Sequence, residues 1–88
     1  MQHFYIYVLL SRRDKKLYIG YTNNLKRRLT EHANGEVKST KNRRPLRLIH
    51  YEYFIDERDA KSREIFLKSG AGHKQLKDKL KQTFTNLS

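Results

Sequence analysis

The 88-residue chain predicts an α+β domain: a small three-stranded antiparallel sheet flanked by helices, in the order β-β-α-β-α-α. Three observations carry this expectation. Two aromatic and β-branched runs, His3 to Leu10 and Leu17 to Tyr21, are joined by the polar stretch Ser11 to Lys16, the pattern of a hairpin. A third such run, Leu46 to Phe54, follows the only proline, Pro45. Two segments on either side of that third run have helical periodicity and N-cap residues.

In the first strand Phe4, Ile6 and Val8 share one face and Tyr5, Tyr7 and Leu9 the other. Both faces are apolar, as in a strand covered on both sides. In the second strand Gly20 admits a close neighbour. Thr22 or Asn23 caps a helix whose inner stripe is Leu25, Arg28, Leu29 and His32, ending at Gly35. Glu36 to Pro45 is a basic loop. Asp56 caps a second helix running to about Ser69, where Gly70 and Gly72 break the chain. A short helix from His73 to about Gln82 places Leu76 and Leu80 one turn apart, for packing on the domain. Residues 1–82 are expected to form a single domain, and residues 83–88 a frayed C-terminal tail in which Phe84 and Leu87 extend the helix contact.

Twenty Lys and Arg against nine Asp and Glu give a formal charge of +11, and the isoelectric point is about 10.1. Twelve of the basic residues fall within residues 12–47, beside only Asp14, Glu31 and Glu36. A surplus of this size favours a polyanionic partner, nucleic acid first. The chain has no cysteine, which excludes thiolate zinc sites and thiol nucleophiles and fits a reducing compartment. No apolar run approaches the roughly 18 residues of a membrane span, and no secretory signal is evident, so a cytoplasmic setting without membrane contact is expected.

The anomaly lies on the two middle helices. Arg28 and His32 sit on the stripe set by Leu25 and Leu29. Glu64 shares the inward stripe of Ala60 and Leu67. Ionisable groups in such positions are costly unless paired or used. A structural Arg28–Glu64 ion pair, with His32 hydrogen-bonded nearby, is one reading. The other takes in Tyr7 and Tyr18, which strand pairing puts beside those helices. Glutamate can then hold a hard divalent cation, arginine a phosphate, and a phenol or imidazole a proton. Metal-assisted phosphodiester hydrolysis needs those three roles.

Tyr5-Ile6-Tyr7 and Tyr18-Ile19-Gly20, ten residues apart between Tyr7 and Tyr18, are followed by Arg28 eight residues after the glycine and His32 four further on. With Ala60-Lys61-Ser62-Arg63-Glu64, this ordered set resembles the GIY-YIG nuclease superfamily over about residues 4–69, closest to its small stand-alone bacterial members. The resemblance implies a metal-dependent endonuclease using Mg²⁺ or Mn²⁺ on nucleic acid, expected to be DNA, in repair or recombination. By the same resemblance Tyr18 is the general base or water-orienting tyrosine, and Tyr7 closes the first motif and shapes the pocket. Arg28 binds the scissile phosphate, His32 assists the proton transfer or positions the phenol, and Glu64 is the metal ligand. Two positions depart from the pattern: Tyr5 stands where many members have glycine, and Tyr21 where many have lysine or another polar residue.

The alternative is a nucleic-acid-binding module with a silent site. In the basic loop Lys38, Lys41, Arg43, Arg44 and Arg47 either track phosphates or form an ordinary solvated surface. Arg12, Arg13, Lys15 and Lys16 are read as a charged turn, and Tyr51 and Tyr53 as packing residues. His3, His50 and His73 lack metal-ligand spacing. The structure or sequence that is cut, the choice of DNA over RNA, and the oligomeric state are open at this level.

Overall fold

A computed structural model describes residues 2–87. Strand β1, Phe4–Ser11, is the middle strand of the sheet. Strand β2, Leu17–Thr22, pairs antiparallel along one side, with Tyr7 opposite Gly20 and Leu9 opposite Tyr18. Strand β3, Leu46–Phe54, pairs antiparallel along the other, with Tyr7 opposite Tyr51 and Leu10 opposite Arg47. A bulge opposite Val8 and Leu9 inserts Ile49 into β3, and Ile49 joins the core. The expected three-stranded antiparallel sheet flanked by helices is the observed fold.

The faces of β1 divide as the alternation predicts. Phe4, Ile6 and Val8 form the hydrophobic core with Ile19 of β2 and with Ala60, Leu67 and Leu76 from the helices. Helix α2, Glu57–Lys68, lies across all three strands on this face. Asp56 caps it by accepting from the Arg58 N–H, and Glu57 and Asp59 suit its positive end. Arg63 grips Glu52 of β3 with both arms of its guanidinium, at 2.9 and 3.1 Å. That clamp, with Ala60 and Leu67 fully buried, fixes the rotation of α2. Burying a leucine completely contributes about 1.5–3 kcal/mol.

Helix α1, Leu25–Ala33, covers the opposite face of the sheet together with the loop that follows it. Its cap is Asn24, whose side chain accepts from the Arg27 N–H, one or two residues later than the sequence suggests. Thr22 instead exchanges hydrogen bonds with the backbone of Asn24 and shapes the turn before the helix. Helix α1 ends at Asn34, ahead of Gly35 at φ +74°. Within the loop, Lys41–Arg43 forms one turn of 3-10 helix.

The C-terminal third departs from expectation. Gly70 and Gly72 do not break the chain but open helix α3, Gly70–Lys79, because Ser69 caps it by accepting from the Gly72 N–H. Residues expected to fray form a further helix, α4, Lys81–Leu87. The Leu80 N–H still bonds Leu76, and the Phe84 N–H bonds Leu80, so the backbone turns at Leu80 without losing its ladder. Tyr51 and Tyr53 pack against the Tyr5 ring but do not enter the core. They are 52% and 45% exposed, because α1 covers only part of their sheet face. Among the described residues no helix is long and apolar enough to cross a membrane.

Gly72 is demanded by close approach. A Cβ there would lie 2.0 Å from the Phe66 carbonyl oxygen and 2.5 Å from the Leu67 Cα, which are backbone atoms that cannot rotate away. At Gly70 nothing lies within 4 Å. Gly72→Ala should therefore cost about 1–3 kcal/mol or more in urea unfolding, while Gly70→Ala leaves stability unchanged or raises it by up to about 1 kcal/mol. Equal effects of the two would contradict the tight α2–α3 junction.

Candidate active site

Tyr7 points from the middle strand toward α1. Its ring crosses directly over Gly20 on β2: a Cβ at that glycine would sit 2.3 Å from the ring carbon that bears the hydroxyl. The second motif thus needs its glycine because the first motif ends in a tyrosine. The phenol meets His32 Nε2 at 2.8 Å, and His32 Nδ1 meets Thr40 Oγ1 at 2.7 Å. Tyr7, His32 and Thr40 are all but inaccessible to solvent. A neutral imidazole has one donor and one acceptor nitrogen, so the three groups form a directed chain from Tyr7 to Thr40 or the reverse.

Burial holds the His32 pKa down to about 4, and the nearby Arg28 charge pushes the same way, outweighing Glu31. Burial pushes the Tyr7 phenol up to about 12, against the opposing pull of Arg28, with the negative charge of Glu64 adding to the rise. At neutral pH His32 is therefore uncharged and Tyr7 is a protonated donor rather than a base. Tyr18, only partly covered, packs edge-on to His32 with ring centroids 5.2 Å apart and lies 6.3 Å from the Tyr7 ring.

The structure brings together Tyr7, Tyr18 and His32 as touching rings, with Arg28 and Glu64 as charges acting on Tyr7. Arg28 bonds Glu31 at 3.0 Å, and Glu64 bonds Lys68 at 3.1 Å. The Arg28–Glu64 ion pair that the spacing allowed is absent among the described residues. Glu64 is held where α2 leaves it, with its side chain 22% exposed. Its negative charge also acts on Tyr21, whose hydroxyl donates to Glu57. Tyr5, at the first departure from the family pattern, turns away from the cluster toward Tyr51 and Tyr53.

The basic loop divides. Arg43 pairs with Asp14 at 2.7 Å and reaches the Leu17 carbonyl, and Arg44 donates to the carbonyls of Lys41 and Ala33. Those two guanidinium groups brace the loop. Lys38 and Lys41 remain exposed. Arg47 lies opposite Leu10, on the core face of the sheet and away from the ring cluster. Thr40 was not foreseen: nothing in a run of polar loop residues marks the one that reaches a buried imidazole.

The profile of the GIY-YIG catalytic domain matches residues 3–82. The chain belongs to the GIY-YIG family of nucleases, as its paired tyrosine motifs suggested. A UPF0213 protein of Clostridium perfringens is 40% identical over 73 residues, 82% of this chain and 77% of that protein. A UPF0213 protein of Natronomonas pharaonis is 47% identical over 66 residues, 74% and 76% of the two chains. The UPF0213 protein of Bacillus halodurans, solved by solution NMR, superposes with a TM-score of 0.55 at 34% identity, over 84% of this chain and 81% of that one.

GIY-YIG nucleases generally use a divalent cation. Among the described residues no three His, Asp or Glu side chains gather to cage one. Glu64 fits the looser mode in which a hard cation keeps most of its water and takes one carboxylate plus substrate phosphate oxygens.

Each ring nitrogen of His32 has a single buried partner, so removing either partner strands a polar atom. Thr40→Val, nearly isosteric, and Tyr7→Phe should each destabilise the fold by about 1–3 kcal/mol in urea unfolding. A neutral effect of both would mean that the buried chain of hydrogen bonds is not formed.

Proposed function

We propose that the protein is a divalent-metal-dependent endonuclease hydrolysing phosphodiester bonds in DNA, in a cytoplasmic repair or recombination setting. The observation that carries the reading is the ring cluster: Tyr18 rests against a neutral, doubly bonded His32, and the charges of Arg28 and Glu64 both act on Tyr7. Family membership and the +11 charge support the substrate class.

In this reading Arg28, free to exchange Glu31 for a ligand, offers its planar fork to the scissile phosphate and stabilises the charge that develops there. Tyr7, protonated at any working pH, holds His32 in place and gives the pocket a neutral hydrogen-bonding wall. Tyr18 orients the attacking water. The water gives up its proton to bulk solvent. As the new P–O bond forms, the bond to the leaving oxygen breaks, and that oxygen takes a proton from bulk water. Glu64 would hold the cation, whose chemistry is to neutralise phosphate charge. Lys68 would release Glu64 as it binds. Lys38 and Lys41 would follow the flanking backbone, with Arg43 and Arg44 bracing their loop.

A binding module with a silent site is the second reading. One observation favours it: Glu64, the carboxylate that would hold the cation, is already paired with Lys68. Cleavage assays with Mg²⁺ and Mn²⁺ on plasmid, duplex, single-stranded, flapped and branched DNA and on RNA separate the two. The nuclease reading expects metal-dependent cutting of DNA, lowered at least about 100-fold by Arg28→Ala and by Glu64→Gln, with binding retained in Glu64→Gln. Salt-sensitive binding with no cutting of any substrate would support the silent module instead.

A further inference from the structure

On the core face of the sheet, remote from the ring cluster, lies a cavity of about 380 Å³. Leu10 of β1 and Phe84 and Leu87 of α4 supply apolar walls, and Arg12, Lys15 and Arg47 supply positive charge. The hairpin that carries two of these cations is tightly built. Ser11 accepts from the N–H groups of Arg13 and Asp14 and donates to the Arg43 carbonyl, while the Arg12 N–H bonds the Pro45 carbonyl. Lys15 occupies the left-handed region at φ +64°, where a residue with a Cβ is disfavoured. The chain thus places a lysine, at some conformational expense, in the wall of this cavity. Among the described residues none of the three cations forms an ion pair.

We propose that this cavity binds one nucleotide unit. Its base stacks on Phe84 between Leu10 and Leu87, and its phosphate is held by Arg12, Lys15 and Arg47. A single aromatic ring beside aliphatic walls suits a planar base. Three separate cations suit the several oxygens of a phosphate better than one carboxylate. The volume is at the small end of ligand pockets. The choice of a nucleotide over another amphipathic anion rests on the nucleic-acid reading above; the cavity and its charge do not. The unit comes either from a nucleic-acid strand running past the hairpin or from a free nucleotide.

The test is ¹⁵N–¹H NMR titration of the Glu64→Gln protein, which removes the proposed metal ligand so that binding is read without cleavage. Failure of the nuclease reading therefore leaves this measurement intact, and the reverse holds as well. The probes are adenosine monophosphate, adenosine, inorganic phosphate and a tetradeoxyadenylate. Adenosine monophosphate or the tetranucleotide should move the amide signals of Leu10, Arg47, Phe84 and Leu87. Adenosine and phosphate alone should bind at least about tenfold more weakly. Phe84→Leu keeps an apolar side chain on α4 yet removes the stacking face, and with Arg47→Ala each should weaken binding about tenfold. Tighter binding of the tetranucleotide identifies a strand as the source, and tighter binding of the monophosphate a free nucleotide. No movement of these signals with either probe would overturn the proposal. So would binding unchanged in both variants, or equal binding of phosphate alone.

Discussion

A buried imidazole with a hydrogen bond at each nitrogen is the interaction on which the rest of this domain depends. His32 can sit in the core neutral only because Tyr7 satisfies Nε2 and Thr40 satisfies Nδ1. Each partner brings its own constraint. Tyr7 reaches the imidazole only by lying over β2, which requires a residue without a side chain at Gly20. Thr40 reaches it only because the loop after α1 folds back over the sheet, held there by Arg44 on the carbonyls of Lys41 and Ala33 and by Arg43 on Asp14. Two strands, one helix and one loop therefore meet at a single side chain, and the face of the sheet that Tyr18 and Arg28 share is set by it.

The opposite face follows a different logic. Apolar burial and the Arg63–Glu52 clamp place α2, and Glu64 becomes available as a consequence of the helix rotation that buries Ala60 and Leu67. The basic surplus is likewise not one surface. Arg43 and Arg44 are structural, Lys38 and Lys41 are exposed near the loop, and Arg12, Lys15 and Arg47 converge on a cavity on the other side. A charge total says that polyanions will be attracted; it does not say along which path.

Much of this was legible in the residues, for identifiable reasons. The strands announce themselves by alternation, and the anomalous Arg28, His32 and Glu64 by standing on stripes that leucine and alanine define. The paired tyrosine motifs carry the family. Thr40 was invisible because its role depends on how a loop folds back, and no periodicity governs that. Helix α3 begins earlier than expected because Ser69 capping and close packing on α2 outweigh the weak helix preference of glycine, and α4 forms where a chain end ordinarily frays because its backbone ladder continues from Leu80. Tyr51 and Tyr53 alternate like core residues, but α1 is too short to cover them, and helix length against sheet width is a tertiary property. Arg47 was grouped with its sequence neighbours, yet a strand sends successive side chains to opposite faces.

The most direct test of the account is the titration of the His32 imidazole itself, followed by NMR through its ring signals from pH 8 to pH 4. Burial and Arg28 depress its folded-state pKa below the unfolded value, so the unfolded chain binds the proton first. The stability owed to the neutral ring is complete above about pH 6.5 and is lost as pH falls toward 4. The account predicts a ring that stays neutral through pH 6 and titrates near 4, with one nitrogen protonated and the other accepting. A midpoint at the ordinary value, near 6.5, would mean that the ring is exposed or unpaired, and the organising interaction proposed for this domain would not exist.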